Sequence, residues 1–295
     1  MNKGARRVAN ILVTGAGKGI GLATTLAFAR AGHAVAAGVR NPDTATDLAE
    51  LAQRERLSIS IETMDVDDDL SVANAVEHFV RTLGPIDVLV NNAGIERVGA
   101  VEDVSMHDFR AVMETNYLGA VRCIKAVLPS MRQRRSGCIV NVTSISGRLA
   151  GSPMGPYAAS KYALEALSEC LAQEVRPFDI RVAIVEPGII DTSMATRIST
   201  DSDGSSYPGQ NRMAALFRSS LQNPTPASLV ADSIVEIVSG ETMQLRHPVG
   251  PDAAPFIDWR QAMSDEDWVA WGALEDDAWY DRVEADFGLD ARPKP

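Results

Sequence analysis

Tyr157 and Lys161 stand four residues apart in the run YAASK. On a helix that spacing puts both side chains on one face. A phenol is a poor acid or base near neutrality, with a reference pKa of about 10. A neighbouring ammonium favours the phenolate and draws that pKa towards working pH. Such a pair could give a proton to a ketone oxygen, or take one back from an alcohol, while hydride moves at the adjoining carbon. Hydride needs a carrier, and the run TGAGKGIG from Thr14 to Gly21 could hold one. A dinucleotide pyrophosphate wants backbone N–H groups, a positive helix end and no bulky side chain in its way. Gly15, Gly19 and Gly21 supply that clearance.

Charge then points to the kind of dinucleotide. A site that prefers NAD ends its second strand with an acid for the ribose 2′-hydroxyl. Here that place is Val39, followed by Arg40, with no carboxylate. Lys18 adds a second cation inside the glycine turn. Two cations and no acid suit a 2′-phosphate, because guanidinium offers paired donors to phosphate oxygens, so NADP is the expected cofactor.

These residues need a scaffold, and the hydrophobic pattern describes one. VANILVTG (8–15), HAVAAGV (33–39), LSISIETMDV (57–66), IDVLVNNAG (86–94), SGCIVNVTS (136–144), IRVAIVEPG (180–188) and MQLRHPVG read as short apolar strands. Amphipathic stretches lie between them: 21–32, TATDLAELAQRER, LSVANAVEHFVRTLG, a long run from Ser105 to Arg134, 157–177, and ASLVADSIVEIVSG. Strand–helix alternation predicts an α/β fold, a Rossmann-type doubly wound parallel sheet of about seven strands with helices on both faces. Asp67, Asp68 and Asp69 are expected to cap the helix that follows them. Two stretches break the rhythm. Residues 191–226 are rich in Ser, Asp, Gly and Pro around one helical patch, NRMAALFRSSLQ, which predicts a lid. Residues 251–295 are acidic and carry all four tryptophans, Trp259, Trp268, Trp271 and Trp279. The expected organisation is a single domain over 1–250, with a lid at about 191–226, and a C-terminal extension over 251–295.

Composition excludes other classes. The chain has 295 residues, 45% hydrophobic and 23% charged, an ordinary globular balance. Its net charge of −11 repels nucleic-acid phosphates. No apolar run approaches the roughly 20 residues of a membrane helix. The basic start, Asn2 to Arg7, looks like the head of a signal segment, but Thr14, Gly15 and Lys18 interrupt the apolar stretch behind it, so export is not expected. Cys123, Cys138 and Cys170 are odd in number and make no CxxC pair, which fits a reducing cytoplasm. The four histidines make no metal-binding pair, and no metal is expected. Ser144 lacks a GxSxG elbow, so a serine hydrolase is not expected.

TGxxxGIG at 14–21, NNAG at 91–94, Asn116 in ETNYLG, Ser144 closing CIVNVTS, YAASK at 157–161 and PGIIDT at 187–192 occur in this order. Together they resemble the short-chain dehydrogenase/reductase family, in its roughly 250-residue-core group, over residues 8 to about 250. The resemblance implies roles. Asn116, Ser144, Tyr157 and Lys161 would be the catalytic set: Ser144 holds the substrate oxygen, Lys161 also bonds the nicotinamide ribose, and Asn116 anchors a water leading from Lys161 to solvent. Thr143 competes with Ser144, but alternation along a strand points the two to opposite faces. The cofactor would contact Gly15, Lys18, Gly19, Ile20, Gly21, Arg40, Asp65, Val66, Asn92, Ala93, Gly94, Tyr157, Lys161, Pro187, Gly188, Ile190 and Thr192. In particular, Asp65 and Val66 border the adenine and Thr192 the carboxamide. Basic residues at positions 18 and 40 likewise imply NADP in this family.

The stretch from Tyr157 to Gly188 resembles hydroxysteroid and retinol dehydrogenase members more than fatty-acid ketoreductases, which commonly carry asparagine where Glu186 stands. With Met194, Met213, Leu216 and Phe217 as candidate pocket liners, this implies a mostly apolar secondary alcohol or ketone as substrate. An NAD-dependent dehydrogenase and a 3-ketoacyl reductase of the same family are the competing readings. A non-catalytic NADP-binding regulator is a third, and it would predict a lost Tyr157 or Lys161. The tryptophan-rich tail either packs on its own domain, covers the substrate mouth or forms a subunit contact. Family members assemble through the helices holding Asn116 and Tyr157, which implies a homodimer or homotetramer.

Overall fold

Apolar β-branched runs too short for helices pair side by side wherever helices can cover both of their faces. In a computed structural model that describes residues 8–200, 205–240 and 243–293, the predicted runs do so. The basic segment 2–7, and residues 201–204 of the expected lid, lie outside the described residues. The chain runs through β1 (Asn10–Thr14), α1 (Gly19–Arg30), β2 (Ala34–Val39), α2 (Thr46–Glu55), β3 (Ile59–Thr63), α3 (Asp69–Leu83) and β4 (Val88–Asn91). It continues with α4 (Met106–Met113), a π-helical turn (Glu114–Leu118), α5 (Gly119–Arg134), β5 (Gly137–Val142), α6 (Gly155–Val175) and β6 (Ile180–Pro187). After these come β7 (Ile190–Asp191), α7 (Ser193–Thr200), α8 (Gly209–Ser220), β8 (Thr225–Pro226), α9 (Ala227–Ser239) and β9 (Arg246–Val249). Three helices end the chain: α10 (Ala253–Gln261), α11 (Asp265–Gly272) and α12 (Asp276–Phe287).

Seven strands form one parallel sheet in the order β3-β2-β1-β4-β5-β6-β9. Leu12 registers with Ala36 on one side and Leu89 on the other, and Leu89 with Ile139. Alternation along the strands divides the core in two. Ile11, Val13, Val35, Val90 and Val140 face α1, α2 and α9, meeting Phe28, Leu48 and Ile234. Leu12, Ala36, Leu89 and Ile139 face α3, α5 and α6, meeting Phe79, Met131 and Leu171. Between β1 and β4 the strand order reverses direction, and at such a switch point the loops after the strand ends diverge and leave a crevice. Asp68 caps α3 by accepting the Ser71 N–H, the role expected of the acidic run.

Three segments differ from expectation. The long helix expected from Ser105 to Arg134 is two helices joined by the π-helical turn that contains Asn116. The Asn116 side chain carried by this wide turn bonds outside its own helix, to the Ile95 backbone and to Ser160. The connection from 191 to 226 holds two helices, not one patch. The Ser/Thr-rich α7 is stabilised by burying Ala195 and Ile198, which local propensity alone does not report. The tail, which carries no strand–helix rhythm, forms α10–α12.

The glycine turn is strained for any other residue. Gly15 and Gly19 have φ of +64° and +55°, the left-handed region that favours glycine. A Cβ on Gly21 would lie 2.2 Å from the Gly15 carbonyl oxygen. Gly21 therefore gives room to the turn itself, letting α1 start against β1. Gly21→Ala should lower the thermal unfolding midpoint by several degrees, on the order of 1–3 kcal/mol for a backbone displaced in a packed turn; calorimetry on the purified variant checks this.

Candidate active site

Thr14 ties the two strands at the switch point. Its Oγ1 accepts the backbone N–H groups of Asn92 and Ala93, both at 3.0 Å. In return, the Asn92 amide donates to the carbonyls of Thr14 at 2.9 Å and Gly15 at 3.2 Å. The NNAG run thus holds the glycine turn in shape. α1 begins at Gly19 with no side chain capping its N-terminus, so its first N–H groups and the positive end of its dipole face the crevice. A helix end of that kind attracts anions.

The crevice has a volume of about 810 Å³ and runs from this turn over the ends of β4, β5 and β6. Gly15, Lys18, Gly19, Ile20, Arg40, Asp65, Val66, Asn92, Ala93, Gly94, Pro187, Gly188, Ile190 and Thr192 all line it, as do Ser144, Tyr157 and Lys161. Gly21 and Asn116 are not on its wall. Lys18 and Arg40 are exposed at one end, and β2 ends on Val39 with Arg40, not an acid, following it. Asp65 accepts the Asp67 N–H at 3.1 Å, which shapes the loop after β3. Asn116 sits behind the wall: its Oδ1 accepts the Ile95 N–H at 2.8 Å, and its Nδ2 donates to the Ile95 carbonyl and to Ser160 Oγ, each at 2.9 Å. It fixes the loop after β4 against α6.

At the other end lie the side chains expected to react. Ser144 follows β5, and its Oγ accepts the Ser146 N–H at 3.1 Å. Thr143 also lines the crevice, but its hydroxyl is spent on Glu165 at 2.7 Å and on the Val185 carbonyl at 3.1 Å. Tyr157 and Lys161 share a face of α6 and are both buried. Lys161 Nζ lies 5.5 Å from the Tyr157 ring centre and donates to the Val142 carbonyl at 3.0 Å.

The expectation that the ammonium draws the phenol towards neutrality is not met by the chain on its own. Burial pushes the Tyr157 phenol up to about 12, with the Ser144 hydroxyl pulling it back and Glu96 adding to the rise. Burial also brings the Lys161 ammonium down to about 8, partly offset by Glu165. Loss of hydration outweighs the pairing because both charged forms leave water together.

Sequence reasoning missed several wall residues. Glu96 is buried and accepts the Arg197 guanidinium at 2.8 Å, joining the loop after β4 to α7; Arg197 lines the crevice. Nothing in the local pattern pairs residues a hundred positions apart. Phe256 reaches the crevice from the tail, packed with Ile145 and Leu149. Trp268 donates to the Ala150 carbonyl at 3.2 Å and stacks on Trp271 with ring centres 5.3 Å apart. Arg212 in α8 binds Asp276 at 2.7 Å and lies over the Trp279 ring. The tail thus packs on α8 and on the loop after Ser144. The expected liners Met194, Met213, Leu216 and Phe217 are all on the wall. Among the described residues, no group of three or more His, Cys, Asp or Glu is placed to hold a metal ion, and no helix is long and apolar enough to cross a membrane.

A family model described as short chain dehydrogenase matches residues 9–203. An oxidoreductase of Botryotinia fuckeliana is 35% identical over 263 residues, covering 87% of this chain and 95% of its own length. A retinol dehydrogenase of Bos taurus is 33% identical over 262 residues, covering 84% and 83%. Among solved structures, a short-chain dehydrogenase from Streptomyces avermitilis superposes with a TM-score of 0.77 at 32% identity, covering 92% of this chain and 97% of that one. An actinorhodin polyketide ketoreductase variant with NADPH superposes at 0.72 and 29% identity, covering 81% and 95%. With this sheet order, this glycine turn and Ser144, Tyr157 and Lys161 at one crevice, the chain belongs to the short-chain dehydrogenase family and is an oxidoreductase of that family.

Proposed function

We propose that the protein interconverts a secondary alcohol and a ketone with NADP(H), on a mostly apolar substrate. One observation carries this reading: Ser144, Tyr157 and Lys161 meet at one end of a crevice whose other end is an uncapped helix N-terminus flanked by two exposed cations. Gly15, Gly19 and the α1 N–H groups would cradle the pyrophosphate, and Lys18 and Arg40 the 2′-phosphate. The polyketide ketoreductase with NADPH supports the same choice of dinucleotide. When bound, that cofactor supplies or receives hydride at the substrate carbon.

The chain's own residues handle the proton. Ser144 donates a hydrogen bond to the substrate oxygen and Tyr157 passes its phenolic proton to it. The Lys161 ammonium stabilises the phenolate that remains, and Asn116 anchors the water through which the proton is replaced. A phenol held protonated beside a charged amine is suited to the reductive direction. Ile145, Leu149, Met154, Met213, Phe217 and Phe256 give the substrate end an apolar wall. The bovine retinol dehydrogenase supports an apolar ligand. Residues 1–250 act in this reading as one catalytic domain, with 191–226 as its lid and 251–295 appended. Free cysteines suit the cytoplasm, and exposed Met106, Leu118 and Tyr162 on α4–α6 suit a homodimer or homotetramer.

NADPH fluorescence followed across a ketone library tests the activity: Tyr157→Phe should lose about 100- to 10,000-fold in kcat while still quenching and binding NADPH. Undiminished turnover in that variant removes the reading. Removing Arg40 and Lys18 (Arg40→Ser, Lys18→Ser) should raise the KM for NADPH by about 10- to 150-fold per lost charged bond and leave NADH nearly unchanged. A native protein more efficient with NAD than with NADP contradicts the assignment. Lys161 carries its charge below its pKa of about 8 and loses it as pH rises through that value. The reductive kcat should therefore fall on the alkaline side of pH 8, and a pH–rate profile measures it.

A further inference from the structure

Behind the reacting end of the crevice, α6, β6, β9 and the turn after Ser144 enclose a group of charges that the reaction does not touch. Glu165 is buried on α6, one helical turn beyond Lys161. Its Oε1 accepts the Thr143 hydroxyl at 2.7 Å and its Oε2 the Arg246 guanidinium at 2.9 Å. Arg246 also binds Glu169 and lies 3.6 Å from Glu186. Glu186 is fully buried, takes Arg148 at 3.0 Å on one oxygen, and has no partner for the other. Glu165 and Glu186 are buried while Glu169 and both arginines reach solvent, so the negative charge of the cluster lies on its inner side, where it is least screened. Lys161 stands one helical turn before Glu165 on α6, with its Nζ on the carbonyl of Val142, the residue before Thr143. Tyr157 faces Lys161, and Tyr162 on α6 faces Glu165, Arg148 and, from α10, Arg260. The turn itself rests on this carboxylate: a Cβ on Gly147 would lie 2.9 Å from Glu165 Cγ and 3.3 Å from the Lys161 carbonyl.

We propose that Glu165 is a positioning residue whose buried carboxylate, one helical turn from Lys161 and fixed by Thr143 and Arg246, keeps Lys161 charged. The catalytic meaning of this rests on the proposed role of Lys161, but the claim itself concerns only the charge of that amine. Attraction from Glu165 opposes the loss of hydration at Lys161. Burial pushes the Glu165 carboxyl up and Glu186 adds to the rise, while the bonds from the Thr143 hydroxyl and the Arg246 guanidinium favour its charged form.

The titration of Lys161 can be read directly, without substrate or nucleotide, from ¹³Cε-labelled lysine signals of the full chain. The Lys161 signal is assigned by its loss in Lys161→Met. In Glu165→Gln, which keeps an acceptor for Thr143 and removes only the charge, the Lys161 midpoint should drop by about one pH unit, the scale of a unit charge one helical turn away at high effective dielectric. Glu169→Gln, which also frees part of Arg246 but is more exposed, should leave the midpoint in place. Should Glu165→Gln not fold, Glu165→Asp, which keeps the charge but withdraws it from Lys161 by one methylene, must show a smaller shift in the same direction. An unmoved midpoint in the folded Glu165 variant, or an equal shift in Glu169→Gln, overturns the proposal. Because no turnover is measured, its failure is distinct from failure of the proposed reaction.

Discussion

The hydroxyl of Thr14 holds the architecture of the site together. It accepts two N–H groups from the run after β4, at the one place where neighbouring strands send their following loops in opposite directions. Without that bond and the return bonds of Asn92, the glycine turn would have no fixed position relative to β4. Everything downstream is measured from it. The uncapped start of α1 faces the crevice because the turn is held, and the loop after β4 reaches Asn116, and through Ser160 the helix of Tyr157, because its first residues are held. A small polar side chain thus sets the distance between the anion end and the acid–base end.

Electrostatics at the acid–base end follow from burial. Tyr157 and Lys161 both leave water, and each charged form is penalised. A protonated phenol and a weakened ammonium result, in place of the phenolate–ammonium pair that spacing alone suggests. The protein offsets part of the cost at Lys161 from behind, with the Glu165 carboxylate on α6, itself held by Arg246 on β9. Charges out of reach of any ligand therefore help set the charge of one within reach. This is common for buried ionic groups, whose value lies in placing and tuning neighbours more than in stability.

The apolar end depends on segments far apart in the chain. α8 has the tail cluster of Trp279, Tyr280 and Val283 on one side, through Ala215 and Leu216. Its Met213 and Phe217 reach the cluster of Tyr157 and Met154 on the other. The buried Arg212 pins α8 to Asp276 and to two carbonyls of the tail. The wall beside Tyr157 is therefore two helices deep, and its outer layer comes from the last forty residues or so of the chain.

Much of this was legible in the residue order. The strand–helix alternation gave away the sheet because burial on both faces demands continuous apolar runs. The glycine turn, NNAG, Ser144 and the Tyr157–Lys161 pair were visible because each is a short local pattern with one physical use. Other features were not legible. The break at Asn116 is invisible to helical periodicity, since a π-helical turn barely disturbs the apolar stripe. α7 is stabilised by burying Ala195 and Ile198 against the rest of the chain. Glu96 with Arg197, and Phe256 on the crevice wall, join positions that no periodicity relates. Local chemistry, in short, is written in sequence because it needs only neighbours a few residues apart. The charge states of Tyr157 and Lys161, and the company of Glu165 and Glu186, were decided only by folding, because hydration is lost to whatever packs around a group and not to what adjoins it in the chain.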